Sequence, residues 1–322
     1  MSLKTVSLRG TPVATSALGF GTPGLLGIGG DRERFDILES AFALGLRHFD
    51  TAPYYGYGEA ERVLGRFIRS RRDRVTVTTK FGIQPMQIAG LSSVARLAKR
   101  MTRHLKPLRR VLSLQAGKLV QRDAFSVADA RKSLESSLRA LGTDYIDIYL
   151  LHEAGPAETA APALLAFLEE QVRKGSIRCF GTGSEFDRTL GVIAQNPAFA
   201  RVVQFENSVV RQNLDHLPDV TGRAVITHRA LGDIFKELRS LLLAEPALAA
   251  RWSAELGVNC AEETTLGGLM LAYAVRANES GVVLFSSHSR AHLESNVGAV
   301  AGELYSASQV SAFARLVAAT RQ

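Results

Sequence analysis

Phe49-Asp50-Thr51-Ala52-Pro53-Tyr54-Tyr55-Gly56 is the stretch that decides the fold. It leaves an apolar run, meets an aspartate and turns through a proline into paired tyrosines. Two other runs share the design. Val75-Thr76-Val77-Thr78-Thr79-Lys80 ends on a lysine, and Ile146-Asp147-Ile148-Tyr149-Leu150-Leu151-His152 ends on a histidine. A scaffold strand can bury its body and present a polar tip to a shared mouth, so these runs point to chemistry at strand ends. Parallel, closed strands would bring Asp50, Tyr55, Lys80 and His152 to one rim.

Outward from these runs, short apolar segments alternate with amphipathic ones, the pattern of strand-helix units around a parallel sheet. Strands are expected at 17–21, 48–50, 75–80, 146–152, 178–182, 202–205, 224–227 and 282–285. Helices are expected at 32–44, 60–68, 127–141, 163–173, 190–195, 212–217 (a short piece), 266–277 and 291–300. Gly45, Ser126, Gly142 and Gly175 punctuate their ends. Eight of each favour an α/β fold of the closed (β/α)8 TIM type over an open sheet. Residues 6–8 and 13–15 flank Arg9-Gly10-Thr11-Pro12 as a β-hairpin ahead of the barrel, placed to plug its lower end. Segments 82–126 and 230–265 are too long for tight connections and lack linker composition, so they are expected as rim insertions within one domain spanning 1–322.

With 46% hydrophobic and 22% charged residues, the 322-residue chain has the composition of a globular enzyme. No apolar run approaches the ~20 residues that cross a bilayer, and the start lacks a secretory core, so a cytoplasmic location is expected. Cys179 and Cys260 offer neither a disulfide framework nor a metal pair, and the seven histidines are dispersed, so no metal is expected. A net charge of +8 suits nucleic acid or a phosphate-bearing cofactor equally. Many basic residues fall between Arg96 and Arg122, interleaved with Leu97, Met101, Leu105, Leu108 and Leu112 at helical spacing. That is a basic amphipathic helix, read as a solvated face or as a lid or acidic-partner surface. Without interleaved aromatics it does not indicate nucleic-acid binding.

The chain resembles the aldo-keto reductases. The resemblance is carried by Leu18-Gly19-Phe20-Gly21-Thr22, the segment from Asp50 to Gly56 with Glu59, Thr79-Lys80-Phe81-Gly82, Leu141-Gly142-Thr143-Asp144-Tyr145-Ile146-Asp147 and Leu150-Leu151-His152. It implies a catalytic set of Asp50, Tyr55, Lys80 and His152. The chemistry agrees: carbonyl reduction by hydride transfer leaves negative charge on oxygen, so a proton donor must stand beside it. Tyr55 is that donor. A phenol titrates near ~10, and the Lys80 cation is expected to lower it; Asp50 holds the lysine and His152 orients the carbonyl.

No side chain delivers a hydride, so a nicotinamide cofactor is required, NADP (NADPH) in preference and NAD as the alternative. The resemblance places Gly21 and Thr22 beside it. Gly181-Thr182-Gly183-Ser184-Glu185-Phe186 partly matches the family's carboxamide segment, with Ser184 in the asparagine position, and Gln204 matches its glutamine. His228 stands where an aromatic usually stacks, and the following Arg229 is a pyrophosphate contact or a solvent residue. The adenosine end falls on the segment from Ser286 to Asn296: Ser286 and Ser287, Arg290 toward a 2′-phosphate, and Asn296 toward adenine. The expected partner is a small-molecule carbonyl substrate, with neither nucleic acid nor membrane. An NAD-linked polyol or sugar dehydrogenase, and an NADP(H)-binding redox-responsive partner subunit with little turnover, are the alternatives.

Overall fold

The computed structural model describes residues 3–56, 58–85, 120–121, 124–302 and 304–321. Strands β1 (Thr5–Ser7) and β2 (Ala14–Ser16) pair antiparallel, and Leu8 N–H closes their turn on Val13 O at 2.8 Å. Eight strands then form a closed barrel: β3 (Leu18–Gly21), β4 (His48–Asp50), β5 (Thr76–Phe81), β8 (Ile146–His152), β9 (Ile177–Gly183), β10 (Val202–Glu206), β11 (Ala224–His228) and β12 (Val282–Phe285). Every neighbouring pair is parallel. The expected barrel is present. A short antiparallel pair, β6 (Gln84–Pro85) and β7 (Val120–Gln121), frames the first long insertion. Apart from residues 120 and 121, the basic segment 96–122 lies outside the described residues.

The hairpin's Val6, Leu8 and Val13 share a buried cluster with Ile148, Cys179, Val202, Ala224, Ile226 and Val282 from the barrel interior. Most of these lie early in their strands, so the hairpin closes the end opposite the strand tips, as anticipated. On the outer side, Phe81 stacks on Tyr149 with centroids 4.9 Å apart, and Phe49 meets Phe67 at 5.3 Å, joining the wall to the helices.

Among the described residues the α-helices are α1 (Asp31–Ala43), α2 (Glu59–Ile68), α3 (Val127–Leu141), α4 (Pro162–Lys174), α5 (Phe186–Gln195), α6 (Asp233–Ala244), α7 (Pro246–Leu256), α8 (Glu263–Ala277), α9 (Arg290–Ala301) and α10 (Ala307–Ala319). Their ends follow the punctuation in the sequence: Ser126 Oγ accepts from Asp129 N–H at 3.1 Å to start α3, and left-handed Gly142 and Gly175 stop α3 and α4. Gly65 lets α2 lie against the end of α3, where a Cβ would come within 2.5 Å of Ala140 O.

The short helical piece expected at 212–217 is present as the 3-10 helix Asn213–His216, and Val220–Gly222 makes a second 3-10 turn. Two expectations need correction. The segment 230–265 folds as α6 and α7, which join α8 and α10 in an outer layer around fully buried Trp252. Helix α10 itself follows the last element read from the sequence. Among the described residues, no helix is long and apolar enough to cross a membrane.

Candidate active site

Parallel register carries the polar tips of β4, β5 and β8 to the same end of the barrel: Asp50 pairs with Thr78, Lys80 with Leu150 and His152 with Gly183. Lys80 and Asp50 are buried and form an ion pair, Nζ to Oδ1, at 2.5 Å. Lys80 Nζ also donates to Thr51 O at 3.2 Å, and Gln204 Nε2 donates to Asp50 Oδ2 at 2.8 Å. Both Asp50 oxygens are therefore committed. The turn after β4 presents Tyr55, whose N–H bonds Ala52 O at 3.0 Å and whose chain then passes through left-handed Gly56. Its ring centroid lies 5.3 Å from Lys80 Nζ and 6.2 Å from that of His152, edge-on at 89°. Asp50, Tyr55, Lys80 and His152 are thus brought together.

Their electrostatics follow from enclosure. Burial raises the Tyr55 phenol; the Lys80 ammonium opposes this, while Asp50 and Glu153 add to it, and the net direction is upward. The ammonium offsets burial and does not produce the net lowering read from the sequence. Burial alone would lower Lys80, yet Asp50 and Tyr55 outweigh it and the amine is raised. His152 falls to about 3 through burial, with Lys80 and His228 assisting, so its imidazole is neutral near pH 7. His228, at the end of β11, falls to about 4 for similar reasons, burial first and then Arg229 and Lys80.

Behind the wall, buried Glu61 of α2 accepts from Thr79 Oγ1 at 2.7 Å; inside it, buried His48 Nε2 lies 3.1 Å from Thr78 Oγ1. These brace β5 on both faces.

The remaining candidates occupy the same rim. Gly21 O accepts from Ser286 Oγ at 2.8 Å, which ties the end of β3 to the segment after β12. Ser287 Oγ donates to Ser289 O at 2.7 Å. Buried Ser184 donates to Ala154 O at 2.7 Å. Arg229 pairs with Glu206 at 2.9 Å, and Arg290, the first residue of α9, pairs with Glu294 at 2.7 Å. Asn296 faces α8, where a Cβ on Gly267 would lie 3.6 Å from its Oδ1.

Of the fourteen buried side-chain polar atoms without a hydrogen-bond partner among the described residues, five belong to this end: Thr22 Oγ1, Thr51 Oγ1, His152 Nδ1, Thr182 Oγ1 and Asn207 Nδ2. They sit at the tips of β3, β4, β8, β9 and β10. Buried polar groups are ordinarily satisfied, so unspent capacity at five strand ends fits a polar ligand with many donors and acceptors, as a dinucleotide is. Sequence reasoning missed Thr51, Thr182 and Asn207 in this role, and also Glu206 and Glu153; only their place at strand ends could have signalled them.

The sequence matches the profile of the Aldo/keto reductase family over residues 17–213. It is 30% identical over 185 residues to D-threo-aldose 1-dehydrogenase of a Pseudomonas species, covering 53% of this chain and 51% of that one. Against the first curated relatives, the chain spans about half of their length. An aldo-keto reductase of Bacillus halodurans in its holo form superposes with a TM-score of 0.71 at 20% identity, covering 98% of this chain and 96% of that one. One from Klebsiella pneumoniae in complex with NADPH does so at 0.66 and 21% identity, covering 98% and 95%. The profile takes in both the barrel's first strands and the tips that gather Asp50, Tyr55, Lys80 and His152, and on that match the chain belongs to the aldo/keto reductase family.

Proposed function

We propose that the protein is an NADPH-dependent oxidoreductase that reduces an aldehyde or ketone to an alcohol, with Tyr55 as the proton donor. The observation that carries this reading is the buried Lys80–Asp50 pair set beside the Tyr55 ring and facing a neutral His152. A bound nicotinamide supplies the hydride. The chain's own residues handle the oxygen. His152, uncharged, donates a hydrogen bond to the carbonyl and orients it. Tyr55 transfers its phenolic proton to that oxygen as negative charge develops there, and the Lys80 ammonium stabilises the phenolate left behind. Asp50, with both oxygens bonded, keeps the ammonium in place.

Gly21, Thr22, Ser184, Gln204, His228, Arg229, Ser286, Ser287, Arg290 and Asn296 would line the dinucleotide, with Arg290 exchanging Glu294 for a 2′-phosphate. That choice over NAD rests on Arg290, whose guanidinium suits a 2′-phosphate. The Pseudomonas relative, a D-threo-aldose 1-dehydrogenase, supports an aldehyde of the aldose kind among its substrates.

Turnover of a carbonyl panel with each cofactor, in wild type and Tyr55→Phe, tests the reading. The substitution is expected to lower turnover at least ~100-fold, the usual scale for a lost proton donor, with cofactor affinity changed little. A Tyr55→Phe protein that reduces carbonyls at the wild-type rate would end the proposal.

A further inference from the structure

Helix α2 starts just after the Tyr55 turn and lies behind the strand that carries Lys80. Glu59 N–H bonds Gly56 O at 3.3 Å and Ala60 N–H bonds Tyr55 O at 3.4 Å, so the turn is joined to the first residues of the helix. Next to Ala60, Glu61 accepts from Thr79 Oγ1 at 2.7 Å, and both residues are buried. Among the described residues this is the one hydrogen bond from α2 to β5. Thr79 immediately precedes Lys80, whose side chain leaves the opposite face of the strand to reach Asp50.

Apolar contact also holds α2 on the wall, as Phe67 does against Phe49. Packed helices, however, slide by small amounts over what lies beneath them. A hydrogen bond adds a set length and direction. The residue types argue for that purpose. Glu61 and Thr79 stand where a parallel barrel ordinarily packs aliphatic side chains, and a carboxyl sealed from water is costly unless it is bonded. Burial raises the Glu61 carboxyl, the Thr79 hydroxyl and the Lys80 ammonium oppose this, and the net direction is upward. An apolar pair would fill the same space at lower cost and leave α2 able to slide.

We propose that Glu61 is a positioning residue for the reaction: through its bond to Thr79 it sets how far the Tyr55 hydroxyl stands from the Lys80 ammonium. This rests on the reductase reading above. Glu61 acts from behind the wall, with the phenol on the turn before α2 and the amine on the strand that α2 grips. Loss of the bond lets the gap relax, so the ammonium stabilises the phenolate less and proton transfer slows. The charged and titratable groups around that phenol are Lys80 on β5, Asp50 at the end of β4, His152 at the end of β8 and Glu153 after it, and none of them is altered.

The test compares Glu61→Gln, which keeps an acceptor oxygen for Thr79, with Glu61→Leu, Thr79→Val and the double variant Glu61→Leu/Thr79→Val. Leu238→Ala, buried in the outer layer, is the control for lost stability alone. Glu61→Leu and Thr79→Val are each expected to lower kcat about 10-fold with KM changed little, short of the ~100-fold that a misplacement of about 1 Å can cost. The double variant should lose no more than the slower single one, because both remove the same bond. Glu61→Gln and Leu238→Ala should turn over like wild type. The Lys80 ammonium resonance, followed by proton–nitrogen NMR, should move in Glu61→Leu and Thr79→Val and stay in Glu61→Gln. Additive losses, an unchanged kcat in either single variant, a Glu61→Gln as slow as Glu61→Leu, an equally slow Leu238→Ala, or a resonance indifferent to the bond would overturn the assignment. Should wild type reduce no carbonyl while the resonance still follows the bond, the reductase reading falls and the hold of Glu61 on Lys80 stands.

Discussion

Lys80 and Asp50 stabilise the protein only as a pair. Each is sealed from water, so removing the ammonium leaves Asp50 with Gln204 as its one side-chain donor. Breaking a buried ion pair from one side costs about 3–5 kcal/mol, whereas replacing both partners with apolar groups costs far less. Lys80→Met is therefore expected to lose about that much unfolding free energy in urea, and Lys80→Met/Asp50→Leu to recover most of it. Equal stability of the single variant and wild type would show that the pair is hydrated. At this scale the sequence was informative where a residue ends a strand: Asp50, Lys80 and His152 stand out because an apolar run stops on each. The bond from Gln204 to Asp50 was hidden, since 154 residues separate them and a glutamine capping β10 reads the same.

Helix α2 reaches the wall through a missing side chain. With Gly65 against Ala140 O and Leu141, α2 can carry Glu61 to Thr79 and Phe67 to Phe49. Gly65→Ala pushes a methyl into backbone atoms that cannot yield, and overpacking of this kind costs typically about 1–3 kcal/mol even though alanine is the better helix former. Thermal melts should show the loss; an unchanged or higher midpoint would mean that α2 and α3 separate without penalty. The alternation of short apolar runs with amphipathic segments sufficed to read the barrel, because strands buried on both faces and helices buried on one leave different periodicities. The segment 230–265 was misread because α6 and α7 turn their apolar faces toward α8 and α10, a contact that periodicity cannot assign to a partner.

Across the whole molecule, acid stability is governed by imidazoles held neutral. His48 and His152 titrate at about 3 and His228 at about 4, burial being the largest cause in each, against an ordinary value of 6.5. Between those values the unfolded chain binds protons that the folded chain refuses, so stability is complete above the ordinary value and drains as pH falls toward the folded ones. Each histidine contributes a slope of up to about 1.4 kcal/mol per pH unit in that window. Urea titrations from about pH 7.5 to about pH 5 should record the decline, and His48→Asn should flatten it by roughly a third. A His48→Asn slope equal to that of wild type would show that this ring is solvated. The outer layer carries a further consequence. Trp252, the chain's single tryptophan, is sealed edge-on against Phe313 at 6.1 Å, in a cluster apart from the one behind the strand tips. Its ultraviolet emission is thus a gauge of whether α7 and α10 stay docked, read without any label added to the chain.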